Sequence, residues 1–175
     1  YFFFFFYRKV KSNDGAQGVD KQGFDDIENK GLESFLQEIS QELKMFTYKP
    51  KAVRRVWIEK TNGKLRPLGI PTIKDRVVQT SCKMVIEPIF EAGFSESSYG
   101  FRPEKNAGQA INQIKTHLKQ GLIGVYDADL SACFDSIPHV KLMKALEERI
   151  IDHRVLRLIK MWLQSPVSEN GSITG

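Results

Sequence analysis

Two extended runs joined by a tight turn limit what this chain can fold into more than any other feature. Val53 to Glu59 is rich in β-branched residues and alternates in character, and Leu65 to Ile70 forms a second, shorter extended run. Between them stands Thr61-Asn62-Gly63-Lys64. Asn-Gly at such a junction predicts a β-hairpin, because both residues tolerate the positive φ that a tight turn demands.

The remaining segments read mainly as helices. Leu32, Phe35, Leu36, Ile39 and Leu43 recur at helical spacing between Leu32 and Met45, bracketed by Gly31 and Pro50. Ile73 to Glu91 predicts a helix with Val78, Cys82, Val85, Ile86 and Ile89 on one face and Pro88 kinking its last turn. Asn106 to Gln120 predicts another, with Ala110, Ile114 and Leu118 inward and Gly121 as its stop. Leu122 to Leu130 has few helix formers and reads as a buried strand. Pro138 suits a helix N-terminus, followed by helices from about Val140 to Arg149 and Arg154 to Gln164. Lys11 to Asp20, where Gly, Asn and Asp cluster, is a loop. Alternating helices and strands with one hairpin predict a mixed α/β or α+β fold.

At 175 residues the chain has the length of one ordinary domain, and 41% apolar with 27% charged residues argues against a disordered tail. Cys82 and Cys133 are far apart, without a CxxC pair or a histidine cluster, which argues against a zinc site or a disulfide framework. Both read as reduced, buried thiols of an intracellular protein, cytoplasmic or organellar. No signal-peptide layout and no bilayer-length apolar run are present. The aromatic stretch Tyr1 to Tyr7 is too short for a membrane anchor, reads as a buried helix turn and carries no functional weight.

The charge is localised. From Gln41 to Arg76 ten basic residues face three acidic ones, a surplus of seven against +5 for the whole chain, so the remainder is slightly acidic. A cationic two-stranded ribbon can lie along a phosphate backbone or around a triphosphate. Equally, it can be a solvated edge hairpin that lysines guard against aggregation.

A second chemical signal lies at Val125-Tyr126-Asp127-Ala128-Asp129-Leu130. On a strand, residues two apart share a face, so Asp127 and Asp129 would project together and favour a cation between or beside them. A hard divalent ion such as Mg²⁺ takes carboxylate oxygens and substrate phosphates, as nucleotidyl transfer requires. The alternative makes Asp127 a strand-end residue and Asp129 a turn cap. Asp135, just before Ser136-Ile137-Pro138, reads as helix-capping.

Together these segments resemble a known family. Asp127 through His139, with Asp-x-Asp followed by Phe134-Asp135-Ser136-Ile137, resembles the first catalytic motif of group II intron and related reverse transcriptases. Arg66-Pro67-Leu68-Gly69-Ile70-Pro71-Thr72-Ile73-Lys74-Asp75-Arg76 and Ser98-Tyr99-Gly100-Phe101-Arg102-Pro103 are similar to the two fingers motifs that precede it. Gly15-Ala16-Gln17-Gly18-Val19-Asp20 resembles the amino-terminal extension loop of the non-retroviral lineages.

The resemblance implies an α+β fingers-palm (right-hand polymerase) fragment. Residues 1–20 would be the amino-terminal extension helix and loop, 21–121 the fingers and 122–175 the start of the palm. Asp129 would be the catalytic, metal-binding aspartate, with the Leu130 carbonyl as a further ligand; Asp127 lies beside it at a position the family does not use as a ligand. Phe134 would be the steric gate that favours deoxynucleotides. The Ala132 and Cys133 backbone and the Lys60 and Arg66 side chains would bind the dNTP. Arg54, Arg55, Gly15, Gln17 and Arg102 are candidates for the RNA template, while Tyr99 and Phe101 read first as packing residues.

The implied activity is that of an RNA-directed DNA polymerase using two Mg²⁺ ions, with RNA template, primer, dNTPs and the cognate intron RNA as partners. No Asp-Asp pair follows Asp129, so the chain is expected to stop before the family's second catalytic motif and to be inactive alone. A half-built palm sheet would expose an edge and invite homodimers. A non-catalytic RNA-binding module and a retron, CRISPR or defence-associated reverse transcriptase are the alternatives.

Overall fold

The computed structural model describes residues 2–61 and 63–174; Tyr1, Asn62 and Gly175, which belong to the aromatic start, the expected hairpin turn and the chain end, lie outside it. Seven helices and four strands are formed among the described residues, in the order α1 (Phe2–Lys11), α2 (Phe24–Lys44), β1 (Val53–Glu59), β2 (Leu65–Ile70), α3 (Ile73–Glu91), α4 (Ala107–Lys119), α5 (Cys133–Ser136), α6 (His139–Glu147), α7 (His153–Leu163), β3 (Val167–Glu169) and β4 (Ser172–Thr174). The fold is mixed α+β. The chain divides into a first unit, residues 1–85 with 150–175, and a second, residues 86–149.

The first unit holds the core. Phe6, Tyr7 and Val10 of α1 pack with Phe24, Ile27 and Ile39 of α2, with Tyr48, and with Ile73, Val77 and Val78 of α3. Leu158, Met161 and Trp162 of α7 close over that cluster. Full burial of a side chain such as Ile39 stabilises by about 1.5–3 kcal/mol. From Phe2 onward the aromatic start is helical, but it is buried only at Phe6 and Tyr7, and Phe2, Phe4 and Phe5 are exposed.

Gly31 does not open a helix as its bracketing position suggested. It is a break inside α2, with φ 111° and ψ 94°, a conformation that side chains resist. The helix begins seven residues earlier, where the Asp26 carboxylate accepts from the Gly23 N–H at 2.8 Å and so meets one unpaired donor of the first turn.

The hairpin spans the expected residues. Its register sets Arg54 opposite Ile70, Val56 opposite Leu68, Ile58 opposite Arg66 and Glu59 opposite Leu65. Lys60 and Lys64 close the ladder at 2.8 Å, and Gly63, at φ 74°, takes the left-handed corner of the loop. The sheet order is β2-β1-β3-β4, with β3 parallel to β1 and antiparallel to β4. The Val53 N–H donates to the Pro166 carbonyl at 2.8 Å, which seats the last hairpin against the first.

In the second unit no hydrophobic residue is buried. Ile111, Ile114 and Leu118 share a face of α4 and are exposed, so the inward packing expected of Ile114 and Leu118 is absent. Residues 122–130 form no strand either: they pair with no other strand among the described residues, and Ile123, Val125, Tyr126 and Leu130 are exposed. A strand is stabilised by the ladder that takes up its N–H and C=O groups. Apolar composition alone does not supply that ladder.

Candidate functional site

The hairpin gathers the cations that the sequence singled out. Strand alternation puts Arg54, Val56 and Ile58 on one face with Arg66, Leu68 and Ile70, and Arg55, Trp57 and Glu59 on the other. Lys60 continues the first face. It is diagonal to Arg66 across the ladder, where side-chain origins stand about 7–8 Å apart. Lys60 and Arg66 are exposed, and neither meets an acidic partner among the described residues. Arg55 falls on the opposite face, beside Trp57, whose indole N–H donates to Glu169 Oε1 at 2.6 Å.

Arg54 is drawn to the amino-terminal loop. Its Nε donates to the Gln17 carbonyl at 2.8 Å, and Arg76 Nη2 donates to the Ala16 carbonyl at 2.5 Å. Gly15 lies against the Arg76 guanidinium and Gly18 against the backbone of Pro71 and Thr72, where a Cβ would come within 2.6 Å of Thr72 Cα. The structure therefore brings Gly15, Gln17 and Arg54 together. Charge and motif alone do not single out Arg76 from its neighbours; its contact with Ala16 does. Burial lowers the pKa of Arg76, and the Asp20 carboxylate opposes that shift.

Arg102 has an internal task. Its side chain is 6% exposed; Nε and Nη2 donate to Glu91 Oε1 at 2.9 and 2.6 Å, and Nη1 to the Ser95 and Ser98 carbonyls at 2.6 and 2.8 Å. Its N–H groups are thus turned inward, because three nearby acceptor oxygens take four of its bonds. Tyr99 packs as expected, its hydroxyl bonded to Gln113 and its ring under Lys105. Phe101 does not pack: it is fully exposed on a left-handed backbone, φ 57°.

Asp127 and Asp129 lie in the exposed, unpaired stretch before α5. Ala132 turns the chain at φ 50° into the single helical turn that carries Cys133 and Phe134, the latter 89% exposed. Asp135 makes no capping bond; Pro138 occupies the N-cap position of α6 without a side-chain cap. The oxygens of Asp127 and Asp129 suit Mg²⁺ by type. Among the described residues, however, no group of three or more Asp, Glu, His or Cys side chains stands close enough to hold a metal. The fit is therefore one of donor chemistry and not of a complete shell.

Comparison with known proteins follows the same residues. Residues 58–175, from the end of β1 onward, match the model of the family described as reverse transcriptase (RNA-dependent DNA polymerase). The chain belongs to the reverse transcriptase family. It is 41% identical over 154 residues to protein YkfC of Escherichia coli, covering 82% of this chain and 40% of that protein. It is 36% identical over 165 residues to the group II intron-encoded protein LtrA of Lactococcus lactis, covering 94% of this chain and 27% of LtrA. Nuclear intron maturase 1, mitochondrial, of Arabidopsis thaliana is 35% identical over 94 residues, 54% of this chain and 13% of that protein. This reverse transcriptase chain thus spans well under half the length of these relatives, and its likeness extends to group II intron-encoded proteins and intron maturases. No described helix is long and apolar enough to cross a membrane.

Proposed function

We propose that this chain is the fingers and the beginning of the palm of a group II intron-type RNA-directed DNA polymerase that also serves its intron as a maturase. The observation that carries the reading is the hairpin face. Two exposed cations, Lys60 and Arg66, stand diagonally across one ladder, at positions that resemble the family's triphosphate ligands. Neutralising charge as it develops on a departing pyrophosphate is the task such groups perform.

In this reading residues 1–20 are the amino-terminal extension, 21–121 the fingers and 122–175 the first part of the palm. Asp129, with the Leu130 carbonyl and Asp127 nearby, would hold Mg²⁺, which when bound neutralises phosphate charge. Ala132 and Cys133 offer backbone N–H groups and small side chains to the nucleotide, and the Phe134 ring excludes a 2′-hydroxyl. The template RNA runs by the loop of Gly15 and Gln17 and by Arg54 and Arg55; Arg102 supports its own loop instead.

The test is primer extension on an RNA template by the full-length protein that carries this chain. Asp129→Ala abolishes extension and leaves RNA affinity nearly unchanged, and Lys60→Ala or Arg66→Ala raises KM for dNTP. Unaltered extension by the Asp129 variant would sink the reading and leave RNA binding as the function of this region.

A further inference from the structure

Beneath the hairpin lies a buried carboxylate with no part in the chemistry above. Asp75, in the first turn of α3, is 2% exposed. Its Oδ1 accepts from the Tyr48 hydroxyl at 2.7 Å, and its Oδ2 accepts from the Thr72 hydroxyl at 2.7 Å and the Lys51 N–H at 3.2 Å. The Thr72 hydroxyl oxygen in turn accepts from the Asp75 N–H at 3.1 Å, and the Tyr48 hydroxyl oxygen accepts from Trp162 Nε1 of α7 at 3.1 Å. Burial, reinforced by the Asp75 charge, raises the Tyr48 pKa, which keeps its hydroxyl a donor. A buried carboxylate is costly unless hydrogen bonds replace water, and here three donors do so.

The arrangement has a topological consequence. Lys51 stands two residues before β1 begins and Thr72 two residues after β2 ends. The chain therefore enters and leaves the hairpin past one oxygen of one side chain. Trp162 adds α7, whose exit leads into β3, the parallel neighbour of β1. Beyond that root most of the ribbon is exposed, from Trp57 through Gly69 with Ile58 as the half-buried exception among the described residues. Apart from the Trp57–Glu169 bond, its direction is consequently set at the root.

We infer that Asp75 is a positioning residue. By holding Lys51 at the entrance and Thr72 at the exit of the hairpin, it fixes where Lys60 and Arg66 are carried. The inference rests on the reading of those two cations as nucleotide ligands. An amide at position 75 keeps the shape but turns an N–H₂ toward Tyr48 on one side or toward Thr72 and Lys51 on the other, so at least one of these bonds is lost. Removing the Thr72 hydroxyl is milder and acts on the same oxygen.

The experiment measures steady-state dNTP kinetics and amide exchange of residues 53–70 in the full-length protein. Asp75→Asn should raise KM for dNTP about tenfold, with kcat within about twofold, and should loosen the hairpin amides. Thr72→Val should do the same to a smaller degree, and it decides the matter if the Asn protein does not fold. Lys60→Ala and Arg66→Ala run alongside. If they raise KM while folded Asp75→Asn and Thr72→Val do not, Asp75 is only a core residue and the inference is overturned. If neither cation variant moves KM, the nucleotide reading fails, and the inference with it. A parallel fall of kcat in the Thr72 variant would also overturn it, as general loosening of the fold.

Discussion

Replacing Gly18 by alanine adds one methyl group at the closest approach of the amino-terminal loop to the root of α3. That methyl would stand 2.6 Å from Thr72 Cα, 2.8 Å from Thr72 N and 3.0 Å from the Pro71 carbonyl carbon. All three are backbone atoms, so no side chain can swing aside. Relief requires the loop to lift by nearly an ångström, which stretches the Arg76–Ala16 and Arg54–Gln17 bonds of 2.5 and 2.8 Å. Overpacking of this kind costs about 1–3 kcal/mol. The stiffer unfolded chain gives back about 0.4–1 kcal/mol. The net expectation is a loss of about 1–2 kcal/mol, a fall in Tm of about 2–8 °C for a protein of this size. Thermal and urea unfolding measure it, with Gly100→Ala as control, since nothing lies within 4 Å of a Cβ there. Equal stability of the two variants would refute the seating of the loop on Thr72.

Two further outcomes are expected. Burial raises the Cys82 thiol to about 11, so it is protonated in the folded chain at pH values where an unfolded thiol ionises. Its contribution is therefore full below about pH 9 and is lost as pH rises toward 11. Alkylation at pH 8, followed by mass spectrometry, should label half-buried Cys133 well before Cys82; the reverse order would contradict the packing of α3. Arg102→Ala should release residues 94–106, seen as several-fold faster chymotrypsin cleavage after the exposed Phe101; an unchanged rate would mean that the Glu91 and carbonyl contacts do not hold that loop.

Much of the local structure follows from the sequence, because short-range chemistry decides it. The hairpin limits, the helix after Pro71 and the α4 start, where Asn106 caps Gln109, are set by turn residues, periodicity and side-chain oxygens within a few positions. The closing hairpin was legible by the same rule: Asn170 and Gly171, both at positive φ, join β3 to β4, yet three-residue strands give too little alternation to notice. The family, too, is carried by ordered motifs and needs no coordinates.

What the tertiary structure alone decided is which polar groups face one another. Nothing local pairs Arg54 with Gln17 or brings Tyr48 and Lys51 to Asp75. Charge counting treats Arg54, Arg66 and Arg76 alike, but a guanidinium bonded to backbone carbonyls and a guanidinium in water differ in what they can still bind. The same holds for residues 122–130, whose apolar sequence suits a strand but which pair with no other strand among the described residues. Pairing and burial of this kind are properties of two segments at once, and so only the folded chain determines them.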